Sequence, residues 1–168
     1  MNNFEYCKYT YKHRKALEYL INKYKNKMTN TQYSELLKRV KVHDVDKLIM
    51  YQFASKKEVH DFHRKNNRHH IENTIKDFSI TDIDILETIF DCECAALTKP
   101  DKPRNAYKTF QDFYPEFYNT AKPYLIQLGM DYDYSILNLE DEKTIDYYSN
   151  MEVTEEMIKK EIKEFLSI

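Results

Sequence analysis

Apolar residues recur at three- and four-residue steps through most of this chain, a spacing that predicts helices rather than strands. From about Phe4 to Lys27 the stripe is Tyr6, Tyr9, Ala16, Leu17, Leu20 and Tyr24, with His13 in its middle. MTNTQ interrupts the pattern and offers Thr29, Asn30 or Thr31 as the next cap. A second helix is expected from Gln32 to about Phe53. Its inward positions are Leu36, Leu37 and Val40, then His43 and Asp44, then Lys47, Leu48 and Tyr51. A third begins near Ser55 and covers SKKEVHDFHRKNNRHHIENTIKDF, with Asn66-Asn67 as its place to bend. A fourth, opened by Ser79 or Thr81, puts Ile83, Leu86, Phe90, Cys94 and Leu97 on one face.

Beyond Leu97 the pattern weakens. TKPDKPRN, residues 98–105, reads as a loop, and the segment after it as one or two short helices broken at Pro115 and Pro123. Residues 131–150 are acidic, tyrosine-rich and expected to be irregular. A last amphipathic helix follows Thr154, with Glu155 and Glu156 set against its N-terminal dipole. The expectation is an all-α helical bundle forming one domain over residues 1–168. Its core is residues 1–100, and residues 105–168 add a helical C-terminal extension. One Gly and four Pro agree, because sheet-rich folds spend Gly on tight turns.

Composition narrows the function classes. A net charge of −2 supplies no global positive field, so nucleic acid and acidic membrane are not obligatory partners. No window reaches the length of a membrane span, and MNNFEYCKYTYKHRK lacks the apolar core of a signal peptide. With three cysteines in no disulfide spacing, a cytoplasmic location is expected. Cys92 and Cys94 point about 200° apart on a helix and cannot share one ion. The single glycine, Gly129, rules out a Gly-rich phosphate loop.

The informative residues are polar ones on apolar faces. Burying an imidazole or carboxylate is costly unless it is paired or holds a cation. The chain places His13 on its first helix, His43 and Asp44 on its second, a histidine group on its third and Asp91 on its fourth. On a continuous third helix His60, His63, Asn67 and His70 would share a face and His69 would point elsewhere, toward Phe62 and Asn66. Glu87 and Asp91, one turn apart, flank the Leu86–Phe90 stripe, with Asp91 at the rim of the core. Such an N/O donor set suits one or two divalent ions: Mn, Fe, Zn, Co or Ni, with Mg where oxygens dominate. Each member alone has a plain reading as a satisfied core histidine, a chance dipeptide or a solvated basic face. The conjunction on four helices is what points to a metal.

The order H…HD…H…D resembles the HD-domain superfamily of metal-dependent phosphohydrolases, over roughly residues 13–97. More narrowly, HDVDK, HRKNNRHH and ETIFDCECA resemble an HD-like family of unknown function from bacteria and their phages. Its members show HD-x-[ST]-K, H-x3-N-x-HH and E-x3-D segments. The resemblance implies His13, His43, Asp44 and Asp91 as primary ligands, with His63, His69 and His70 for a second ion or for phosphate. It implies Lys47 and Arg68 as phosphate contacts, Asp44 as ligand and orienting group, and a histidine of the His63–His70 set as proton donor. The implied substrate is a small phosphoester, most specifically a nucleotide, and a phage origin would fit a nucleotide signal. Asp46 departs from the narrower pattern, standing where Ser or Thr is usual, and the third-helix spacing departs from common two-metal HD enzymes. Two other readings stay open: an HD-like di-iron oxygenase, and a non-catalytic helical module whose RKNNRHH run touches nucleic acid or protein.

Overall fold

The computed structural model describes residues 2–74, 80–99, 105–133 and 139–167. Among them every regular element is helical and none is a strand, so the all-α expectation holds. The helices are α1 Asn3–Lys23, α2 Asn30–Val42, α3 Val45–Met50, α4 Lys56–Asn66 and α5 Ile71–Thr74. They continue as α6 Asp82–Thr98, α7 Ala106–Phe113, α8 Tyr118–Leu128, α9 Leu139–Ser149 and α10 Glu155–Leu166.

α6 is the axis of the bundle. Its residues from Asp84 to Phe90 are buried without interruption, because α1, α2, α5, α7, α8 and α9 all pack on it. Leu86, Ile89, Phe90 and Cys94 meet Leu17, Ile21 and Leu36 from the first two helices and Phe110 and Leu125 from α7 and α8. A second apolar cluster, Cys7, Leu48, Tyr51, Val59, Val153 and Ile158, ties α1, α3 and α4 to α10. The C-terminal helices therefore complete the core built by the first hundred residues.

Caps are specified by sequence. Thr29, Ser55 and Thr81 each close a capping box on α2, α4 and α6. Ser79, the other candidate for α6, lies outside the described residues, as does the end of the expected third helix. Thr81 matters most, because it seats the helix that carries Glu87 and Asp91. Thr81→Ala is expected to lower stability by about 1 kcal/mol, read as a lower urea midpoint with unchanged slope. An unchanged midpoint would remove Thr81 as the seat of that helix.

Three expectations are corrected. The continuous helix from Gln32 to Phe53 is broken at His43-Asp44, where Asp44 takes φ 57, the left-handed region. Pro123 does not break α8 but lies inside it. It and Asn119 are exposed, so the carbonyl that loses its donor can turn to water. Within residues 131–150, Leu139–Ser149 is helical rather than irregular, and 134–138 lie outside the described residues. Among the described side chains of α9, those of residues 142–149, Ile145 and Tyr148 bury against the core.

Candidate metal centre

The break between α2 and α3 builds the site. On a straight helix adjacent side chains diverge by about 100°, so His43 and Asp44 could not aim at one point. With Asp44 in the left-handed region both turn inward, His43 at 2% exposure and Asp44 at 3%. A second departure comes at Asn67, where α4 ends in extended backbone. The chain re-enters the core through His69, while His70 stays half-buried. The expected face is thereby corrected: His69 points inward, and His60 bonds the Tyr51 hydroxyl at 3.2 Å.

Around Asp44 Oδ1 lie His63 Nε2 at 3.0 Å, His69 Nε2 at 3.4 Å and His43 Nε2 at 3.5 Å. His43 Nε2 is also 3.5 Å from Asp91 Oδ1, which meets His13 Nε2 at 2.6 Å. Two metal bonds of 2.0–2.2 Å at tetrahedral or octahedral angles separate their ligand atoms by about 2.8–3.6 Å, which spans the distances around Asp44. Two buried atoms here, His43 Nε2 and Asp44 Oδ1, have no hydrogen-bond partner. Such groups are costly to bury unless they pair as ions with one another or share a cation.

The outer ring nitrogens show how the imidazoles are held. His43 Nδ1 lies 2.9 Å from Glu87 Oε1, His69 Nδ1 3.4 Å from the same oxygen, and His63 Nδ1 2.8 Å from Asp46 Oδ2. A carboxylate at Nδ1 keeps the ring proton there and leaves the Nε2 lone pair facing the centre, the usual support of a metal-ligating histidine. His13 differs, with Cys94 Sγ 3.6 Å from its Nδ1. Asn67 Nδ2 donates to Asp46 Oδ2 at 2.9 Å, steadying that carboxylate. Glu87 is steadied by Arg39 Nη1 at 2.9 Å, and Arg39 and Arg68 both donate to the fully buried Asp84.

Charge within the cluster is strongly coupled. Burial alone disfavours every ionised form, but opposite charges decide the outcome. Burial acts downward on His43, yet Asp44 and the carboxylates of Asp91 and Glu87 raise it to about 9. His13 is likewise raised to about 9 against burial, by Cys94 and Asp91, and His69 to about 10 by Asp44 and Glu87. Against the same burial, His43 and His69 lower Glu87 to about 2, and nearby imidazoles hold Asp44 and Asp91 well below the usual carboxylate range. His70, unlike His13, His43 and His69, moves down, because burial dominates and His69 and His63 oppose its charge.

Among the described residues four overlapping donor groupings result, one of them His43, His69 and Asp91. The remaining three are His13, His43 and Asp44; His63, His69 and His70; and Asp44, Asp46 and His63. The buried His/Asp cluster could thus hold a metal ion. A cavity of about 560 Å³ reaches it, lined by Tyr9, His13, Asp44, Lys47, His70 and Asp91 and bordered by Lys99 and exposed Phe113.

Most residues singled out in sequence converge: His13, His43, Asp44, His63, His69, His70 and Asp91 share one cluster, and Lys47 Nζ donates to Asp44 Oδ2 at 2.8 Å. Arg68 is placed differently from a phosphate contact, its guanidinium clasping Asp84 through Nε at 2.9 Å and Nη2 at 2.7 Å. That grip fixes the residue next to His69. His63 lies inside the cluster rather than on the cavity wall. Sequence reasoning gave no role to Glu87, Asp46, Asp84 and Arg39. Glu87 was signalled by its place one turn before Asp91 beside the Leu86–Phe90 stripe and by the E-x3-D segment, and neither said what it would touch. The chain matches no family model, no curated protein and no solved structure. Among the described residues no helix is long and apolar enough to cross a membrane.

Proposed function

We propose that the chain is a metal-dependent phosphohydrolase of the HD type, acting on a small phosphoester such as a nucleotide. One observation carries this reading: imidazoles and carboxylates from separate helices converge with Nε2 atoms inward, three of them backed at Nδ1 by a carboxylate. His13, His43, Asp44 and Asp91 would hold one divalent ion, and His63, His69 and His70 a second. Mn, Fe, Mg, Co, Ni and Zn all accept such donors. A divalent cation supplies an acidified water and counter-charge for phosphoryl oxygens.

The chain's own residues do the rest. Asp44 orients the ligand set, and Lys47, on the cavity wall beside it, meets phosphoryl oxygen with a compact positive charge. Burial holds His70 below its ordinary value, so its imidazole keeps a lone pair for the second ion at the cavity wall. Phe113 and Tyr9 give a base apolar surface. The test is elemental analysis of protein purified without chelator or nickel resin, then a nucleotide panel with Mn or Mg. Stoichiometric metal and turnover are expected, and metal-free, inactive protein would overturn the reading.

The overlapping donor groupings also favour a di-iron oxygenase as second reading. Bound iron without phosphoester turnover would select it. The nucleic-acid module draws less support, because Arg68 and His69 of RKNNRHH are engaged internally.

Metal affinity should rise with pH. Below about pH 9 the metal-free protein holds protons on His13 and His43, and below about 10 on His69, and a cation must displace them. These raised values stabilise the metal-free fold fully below pH 6.5, and that contribution is lost as pH climbs through 9 to 10. The lowered carboxylates act at the other end, their contribution vanishing as pH falls below the usual carboxylate range. Titration calorimetry in buffers of different ionisation enthalpy should show proton release, and added Mn(II) should raise the melting temperature more at pH 8.5 than at pH 6.5. Binding that is independent of pH would show the histidines are not ligands.

A further inference from the structure

Arg14 follows His13 on α1 and is only 6% exposed, yet nothing in the proposed chemistry uses it. A buried guanidinium needs acceptors, and this one finds them at the end of α2. Its Nη1 donates to the Val40 carbonyl at 3.3 Å and to the His43 carbonyl, and its Nη2 to the Lys41 carbonyl at 3.3 Å. These belong to the last turn of α2 and the turn residue after it, where a helix leaves carbonyls without internal donors and favours a cation. The next residue is Asp44 in its left-handed conformation, without a glycine to ease the turn. From α10, Glu161 Oε1 accepts from Arg14 Nη2 at 2.9 Å and from Lys15 Nζ at 3.1 Å, with only 11% of its side chain exposed.

We infer that Arg14 and Glu161 form a positioning clamp through which the C-terminal helix holds the His43-Asp44 turn in ligand geometry. α1 then sets two things with consecutive residues: His13 enters the cluster, and Arg14 fixes the turn that brings in the other ligands. The C-terminal region becomes part of the framework of the site rather than an appendage. The clamp bears on function through the cation proposed above, and it bears on the turn whether or not a cation binds.

The test uses the full chain with Glu161→Ala and Arg14→Lys. Mn(II) affinity is measured calorimetrically, and the His43 ring signals are read by long-range ¹H–¹⁵N spectra of metal-free protein. Both variants should bind Mn(II) about tenfold more weakly or worse, with His43 signals displaced. Lysine does not rescue, because a point charge cannot span three carbonyls and a carboxylate. Leu125→Ala on α8, which costs stability away from the turn, should leave affinity and ring signals unchanged and so separates positioning from general destabilisation. Glu161→Gln, equal in shape but uncharged, replaces Glu161→Ala should that variant not fold. Wild-type affinity and unmoved His43 signals in the variants overturn the clamp. Wild-type protein that binds no Mn(II) overturns the metal reading instead, while the ring signals still report whether the turn depends on Arg14.

Discussion

Asp44→Asn is expected to cost metal affinity about a hundredfold or more, beyond the range for outer supporting groups, and to abolish turnover while the helices persist. The expectation follows from where Oδ1 sits, within 3.5 Å of Nε2 atoms from His43, His63 and His69. Asparagine keeps the volume but offers no charge, so three imidazoles lose the anion that holds them around one point. It is also the cleaner substitution, since Asn tolerates the left-handed backbone. Alanine would add about 1–2 kcal/mol of strain and blur the result. His43→Ala should reproduce the loss of metal and turnover without touching that backbone. Circular dichroism checks the helices and elemental analysis the ion. Stoichiometric metal with full turnover in either variant would end the mechanism given above.

Glu87→Ala should have the second largest effect, although Glu87 reaches neither cavity nor substrate. Its Oε1 serves both His43 and His69, and its Oε2 accepts from Arg39 at 2.9 Å. Without it two imidazoles lose the group that fixes their tautomer and orientation, which costs about 10- to 100-fold in metal affinity. The metal-free fold should also lose about 3 kcal/mol, the lower end for removing one partner of a buried pair. The lower end applies because Arg39 is 27% exposed and keeps Asp84. Glu87→Gln should recover much of the stability but less of the affinity, because an amide donates where the imidazole N–H must also donate. Equal affinity in all three proteins would show that Glu87 supports the core alone.

Particular residues show how far sequence reaches. His13 was legible because it interrupts a regular apolar stripe on a long helix, and α1 is the long helix it predicts. Asp91 was legible as a carboxylate at the rim of such a stripe. His43 and Asp44 were legible as a pair but not in their geometry, since the periodicity fits one continuous helix and the structure ends α2 at Val42. His69 was named through the family resemblance, but its inward direction could not be read, because that depends on α4 ending at Asn66. Arg68 read as a phosphate contact because its partner, Asp84, lies 16 positions away on another helix. Asp46 was visible as a departure from a related pattern, and only its 2.8 Å approach to His63 Nδ1 gave it a purpose.

By itself the sequence determined that the chain is helical, where most helices begin, and which polar residues lie on faces that must be buried. Those properties are local: a side chain's burial follows from the period of its neighbours, and a cap from residues three positions apart. Tertiary structure decided which buried polar groups meet, joining His13 to Asp91 across 78 positions, His43 to Glu87 across 44 and Arg14 to Glu161 across 147. It also decided the turn at Asp44, whose left-handed backbone is flanked by packed helices and by the carbonyls that Arg14 grips. Periodicity reports that a side chain faces inward, and only the packing of helices distant in sequence sets what it faces.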